Sequence, residues 1–154
     1  MHTTTSSTGL RRGPLAVLLT GVFLIVLDFF VVNVALPSVQ QDLDADATAL
    51  QWLIAGYALT YGGLLLVASR MADRWGRRRM FVLGTGLFVL SSAVCGFAPD
   101  VDTLLVARLV QGASAAVVGP TVLALIGDVY AGPQRVRALG AYATVMASPP
   151  RRAS

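Results

Sequence analysis

Four stretches of this chain are each long enough and apolar enough to cross a lipid bilayer, and no other feature limits its possible folds as much. A spanning helix takes about 20 predominantly apolar residues. Residues 14–36, 50–69, 80–98 and 103–127 meet that requirement. The second and third stretches are uncharged, the first is interrupted by Asp28 and Asn33, and the fourth contains Arg108. A fifth apolar stretch, 138–148, is too short to span and stops before Pro149-Pro150-Arg151-Arg152. None carries the polar stripe of a soluble amphipathic helix, so lipid or other helices must surround them. The expected fold class is all-α and polytopic, with four transmembrane helices and a partial fifth. Residues 1–13 (rich in Thr and Ser) are expected to be disordered, residues 14–148 to form the membrane domain and 149–154 an atypical tail. The first span is not read as a secretory signal. It is too long, lacks a clear small-residue cleavage site and is followed by further spans.

The charges then orient the spans. All 12 basic residues other than His2 are Arg, and all 8 acidic residues are Asp. Arg11 and Arg12 precede span one, Arg70, Arg74, Arg77, Arg78 and Arg79 follow span two, and Arg135 and Arg137 follow span four. The alternate loops hold Asp42, Asp44 and Asp46, or Asp100 and Asp102, with no Arg. By the positive-inside rule the N-terminus and the 70–79 and 128–137 loops lie in the cytoplasm of a multi-pass cell-membrane protein. Arg151 and Arg152 are misfits, since a completed fifth helix would place them outside.

Several function classes drop out. The sequence pI of about 10.0 needs no nucleic acid, because the charge sits between apolar runs rather than on a basic polar face. A single cysteine, Cys95, allows no intramolecular disulfide, and no zinc-ligand spacing occurs. With no Lys in the chain, the phosphate-binding loop that ends in Gly-Lys-Ser/Thr cannot form. No enzyme activity, metal or cofactor is expected. Cys95 reads as a small core residue, and Trp52, Tyr57 and Tyr130 as interface anchors.

Ser69-Arg70-Met71-Ala72-Asp73-Arg74-Trp75-Gly76-Arg77-Arg78-Arg79 is the most specific string. A basic anchor that meets anionic headgroups accounts for its arginines. It does not account for Asp73 or for Gly76. The string resembles the loop signature of the major facilitator superfamily of secondary transporters, roughly G-x-L-a-D-R-x-G-R-R. Asp73, Arg74, Gly76, Arg77 and Arg78 match, while Ser69 stands where the family has Gly. Leu27-Asp28-Phe29-Phe30-Val31-Val32-Asn33-Val34-Ala35-Leu36-Pro37 is similar to the first-helix signature of its drug:proton antiporter branch, the fourteen-span type, with Phe30 in place of Thr. Leu104 to Ala116, with Arg108, Gln111 and Gly112, resembles the fourth-helix signature, with Ser114 in place of Gly. Arg135 to Gly140 resembles the start of helix five.

The resemblance implies the N-terminal portion of a six-helix half-transporter. It also implies proton-coupled efflux of hydrophobic or cationic drug-like compounds. The 73–78 loop would act as a cytoplasmic latch, and Asp28, Asn33, Arg108 and Gln111 would serve proton coupling and transport. A carboxylate inside a span is a functional-site candidate by default. Its alternative role is structural, hydrogen-bonded to a neighbouring helix. Arg108 lies five residues into span four, ~8 Å deep, and Asp28 lies eight residues from the same side, ~12 Å deep, so the two are expected to pair. The alternative for Arg108 is snorkelling to the outer interface.

Because the chain reads Ala147-Ser148-Pro149-Pro150 where the fifth helix should continue, it is expected to be truncated and inactive alone. The expected partners are the bilayer, a small substrate with protons, and helices that supply the missing half. Two other readings stay open: a non-transporting module that pairs with a complete transporter, and a small homo-oligomeric efflux protein.

Overall fold

The computed structural model describes residues 12–147, and the expectations for most of 1–13 and for 149–154 fall outside them. The described residues form five helices: α1 (Arg12–Asp42), α2 (Ala47–Trp75), α3 (Arg77–Gly96), α4 (Val101–Val129) and α5 (Gly132–Ala147). The first four have the length and apolarity of membrane spans. At 1.5 Å per residue, the 29 residues of α2 or α4 reach ~44 Å. The hydrocarbon core is only ~30 Å thick, so each helix runs several residues past the apolar stretch that marks it in sequence.

Local chemistry sets the helix ends. Asp46 caps α2 by accepting from the Ala49 N–H at 2.7 Å, and Asp100 caps α4 by accepting from the Thr103 N–H at 2.7 Å. These side chains take up backbone donors that the first helical turn leaves unpaired. The bonds from Thr103 hold the Asp100 carboxyl below its ordinary value. Between α2 and α3 the connection is Gly76 alone, at φ +95°, a conformation that costs glycine little and other residues much. Nothing lies near the position of a Cβ there, so only the backbone imposes the requirement. Helix α5 begins at Gly132 rather than near residue 138. Pro133 lies in its first turn, where the missing N–H would have had no intrahelical partner.

Helix α4 is the hub and packs most extensively against α2 and α3. Half of its most apolar window is buried, against 17–28% in the other three spans. Helix α1 packs on α5 and α4. A core at the arginine-rich end joins Leu15, Leu18 and Val22 of α1 to Phe81, Val122, Ile126 and Ala138. Tyr130 belongs to this core, only 1% exposed, and is therefore not an interface anchor. The outward faces carry Leu59, Leu66, Leu83 and Leu90, all exposed. In water that surface would be a liability, and in a bilayer it can meet lipid or further helices.

Candidate functional site

Arg108 and Gln111 are three residues apart on α4 and so share one face. That face meets Asp28, midway along α1. Arg108 Nη1 donates to Asp28 Oδ2 at 2.7 Å and to Gln111 Oε1 at 2.7 Å. Gln111 Nε2 donates to Asp28 Oδ1 at 2.7 Å. Both carboxylate oxygens are thereby occupied, and Gln111 bridges acid and base. Arg108 is 4% exposed and the Asp28 side chain 9%, so the guanidinium does not snorkel to the interface. Two partners from α2 complete its shell. Its Nε lies 3.5 Å from the Leu53 carbonyl, and its guanidinium carbon lies 4.3 Å from the centre of the Tyr57 ring.

Tyr57 was expected at the interface and instead stacks against this arginine and, in parallel, against Tyr61. Its helical spacing from Leu53 and Thr60, one turn to either side on the face of α2 that meets α4, is the signal that could have placed it. Cys95 is half-buried, its thiol 3.7 Å from Gln111 Oε1. Asn33 stands apart from the ion pair. It is exposed, and its Nδ2 donates to the Phe29 carbonyl one turn back at 2.6 Å.

Three cavities converge on the pair. One of 170 Å³ runs from Asp28 and Arg108 past Leu53 and Cys95 to Val39 and Leu104, toward the end of the bundle with the acidic loops. A second, of 180 Å³, lies between Phe29, Asn33, Tyr57, Tyr61 and Arg108. A third, of 170 Å³, opens beside Asp28 toward Phe88 and Ser92. The carboxylate is thus buried yet adjacent to free volume. Beside it is an aromatic wall of the kind that attracts flat apolar groups and cations.

A second charged cluster lies at the other end. Asp73 Oδ1 accepts from Arg77 Nε at 3.2 Å and from Nη2 at 3.0 Å. Arg77 Nη1 reaches Asp128 at 2.7 and 2.9 Å. Arg77 therefore ties the α2–α3 turn to the last turn of α4. Asp128 was not singled out from the sequence. As the one carboxylate closing span four on the side that holds the Asp73 loop, it was the natural candidate. Arg74 and Arg78 are exposed and make no ion pair or hydrogen bond among the described residues. These side chains remain well solvated, so each pair adds little to stability, and the cluster's value lies in geometry.

Helices of membrane length that bury an arginine–aspartate pair beside internal cavities define a multi-pass membrane protein. The chain belongs to the Major Facilitator Superfamily, whose family model matches residues 18–148. That is a family of transporters, not enzymes. The chain is 48% identical over 136 residues to the puromycin resistance protein of Streptomyces alboniger, covering 88% of this chain and 27% of that one. It is 42% identical over 134 residues to the methylenomycin A resistance protein of Streptomyces coelicolor, covering 85% and 28%. A multidrug resistance protein of Mycobacterium tuberculosis is 39% identical over 126 residues, covering 81% and 24%. The chain thus spans about a quarter of the length of the curated relatives it matches.

Proposed function

We propose that this chain supplies the first helices of a proton-coupled exporter of hydrophobic or cationic compounds, with Asp28 as the proton carrier. The observation that carries the reading is a buried carboxylate held by Arg108 and Gln111, with two cavities opening on it and a third on Arg108. Desolvation favours the protonated carboxyl, and a neighbouring cation favours the carboxylate. A site balanced between the two can load and release a proton. When Asp28 is protonated, Arg108 keeps the Gln111 oxygen, the Leu53 carbonyl and the Tyr57 ring, so the guanidinium is never left bare. The aromatic cavity beside it takes the substrate, with Asn33 on its wall. The Asp73, Arg74, Gly76, Arg77 and Arg78 turn, anchored through Asp128, gates the cytoplasmic side. The names of the relatives support the efflux of drug-like compounds, and the one-sided arginines support a cytoplasmic N-terminus.

Substrate sites of such transporters lie near the midplane between two halves. Vesicles holding only this 154-residue chain are therefore expected to show no proton-driven dye efflux. The test of Asp28 is a chimera in which this chain replaces the matching segment of the Streptomyces alboniger puromycin resistance protein. The chimera is expected to drive dye efflux from a proton gradient, and Asp28→Asn to abolish the coupling at equal expression. Proton-driven efflux that survives Asp28→Asn sinks the assignment.

A further inference from the structure

Neither the ion-pair site nor the Asp73–Arg77–Asp128 cluster uses Arg70, Arg74, Arg78 or Arg79. All four are exposed, without an ion pair or hydrogen bond among the described residues. Beside them, α2 and α3 diverge over α4 and leave a groove of 310 Å³. Leu64, Met71 and Trp75 line it from α2, Met80 and Leu87 from α3, and Ala113 forms part of its floor. The lining is almost wholly apolar. Gly84 brings α3 onto α4, its Cβ position 3.0 Å from both Val117 and Val118 side chains, and so fixes the depth of the groove. From Trp75 to Leu64 is eleven residues, or ~16 Å along the helix. That matches one leaflet, half of the ~30 Å hydrocarbon core.

Helical register places two of the four arginines at the rim. Arg74 follows Val67 by seven residues, two turns along the same face. Arg79 precedes Leu83 by four residues and shares its face. Val67 and Leu83 line the groove and are both more than half exposed, so they mark its outer, lipid-facing edges. Arg78 points to the opposite side of α3 by the same register, and Arg70, four residues before Arg74, lies one turn deeper along the same side of α2 and farther round from the lining. The groove thus pairs an acyl-length apolar slot with two unpaired cations where the slot meets the membrane surface.

We propose that this groove is a binding site for an anionic phospholipid. One acyl chain lies between α2 and α3, and the phosphate sits between Arg74 and Arg79. Charge complementarity selects this occupant over a zwitterionic lipid, because two arginines lack counter-charges and no carboxylate lines the groove. The site does not rest on the transport reading, though it shares Arg74 with the turn proposed to gate the cytoplasmic side, and it requires that this face of α2 and α3 be open to lipid.

Trp75 at the mouth of the groove is a built-in reporter, and Trp52 is the other tryptophan in the chain. The full chain carrying Trp52→Phe is reconstituted in phosphatidylcholine vesicles. Small fractions of phosphatidylglycerol or phosphatidylcholine brominated at carbons 6 and 7 are then added, and quenching of Trp75 is read. Brominated phosphatidylglycerol is expected to associate roughly fivefold more strongly than brominated phosphatidylcholine. Arg74→Gln with Arg79→Gln should bring the ratio to about one. Arg78→Gln with Arg137→Gln, the latter on α5 where it packs on α1 and α4, removes the same charge away from the rim and should leave the preference in place. Equal quenching by both lipids in the unsubstituted-arginine protein would mean ordinary boundary lipid and overturns the site. Equal loss of preference in both double variants would mean diffuse surface attraction and overturns it too. Circular dichroism confirms that each variant remains helical.

Discussion

Asp28→Leu should destabilise the helical bundle by about 3–5 kcal/mol, the usual cost of removing one partner from a buried ion pair. The guanidinium of Arg108 is nearly inaccessible and cannot shed its charge by losing a proton. After the substitution it keeps Gln111, a long bond to the Leu53 carbonyl and the Tyr57 ring. These neutral partners put the cost at the lower end of the range. Arg108→Leu removes the other partner, leaves the buried Asp28 carboxylate with Gln111 alone and should cost a similar amount. Gln111 would lose partners on both sides if the pair alone were removed. The fair apolar replacement is therefore Asp28→Leu, Arg108→Met and Gln111→Leu together. This triple variant should recover to within about 1 kcal/mol of the parent, because the desolvation cost of the pair disappears with it. Unfolding in mixed detergent micelles measures all four proteins. If the triple variant is as unstable as Asp28→Leu, the cluster stabilises the bundle by more than charge compensation. Recovery of the triple variant would show that the bundle does not need the pair for stability, as expected if the proposed proton-coupling role of Asp28 is its use.

The spans were legible because hydrophobic length is a one-dimensional property and the bilayer sets its scale. Their ends were less so. The apolar run of α1 stops at Leu36, yet the helix continues through Pro37 to Asp42, since backbone hydrogen bonding does not end where the hydrocarbon does. Depth counting placed Asp28 and Arg108 at similar levels, and the two are 2.7 Å apart. Counting along single helices says nothing about azimuth. It therefore gave no warning that Tyr57 faces Arg108, that Asn33 bonds back to the Phe29 carbonyl rather than to the pair, or that Tyr130 is buried in one core with Ala138 and Leu18. Each depends on which helices α4 touches. Asp128 escaped notice for a different reason: a lone carboxylate at a helix end looks like ordinary surface until the turn opposite is known to carry Arg77.

The second large effect concerns the contact that holds α2 against this site. At Gly112 an added Cβ would fall 2.5 Å from the Tyr57 carbonyl oxygen and onto the Thr60 hydroxyl. The first obstacle is backbone, which no rotamer change relieves. Thr60 is itself fixed by hydrogen bonds to the Gly56 and Tyr57 carbonyls at 2.9 and 3.1 Å. Gly112→Ala should therefore cost about 2 kcal/mol and Gly112→Leu about 3 kcal/mol or more, at and beyond the usual range for overpacking. The same change at Gly119 meets only the Tyr61 hydroxyl at 3.4 Å. There the better helix propensity of alanine is offset by the crowding that Pro120 imposes on a Cβ in the residue before it, so the variant should stay within about 1 kcal/mol of the parent. Gly56→Ala lies between them, because the Leu109 side chain 3.0 Å away can turn aside. Displacing α2 also withdraws the Leu53 carbonyl and the Tyr57 ring from Arg108. In the chimera described above, Gly112→Ala should thus weaken proton-coupled efflux at temperatures where the bundle is still folded, and Gly119→Ala should not. Equal tolerance at positions 112 and 119, in both unfolding and efflux, would remove close α2–α4 packing as the support of the ion pair.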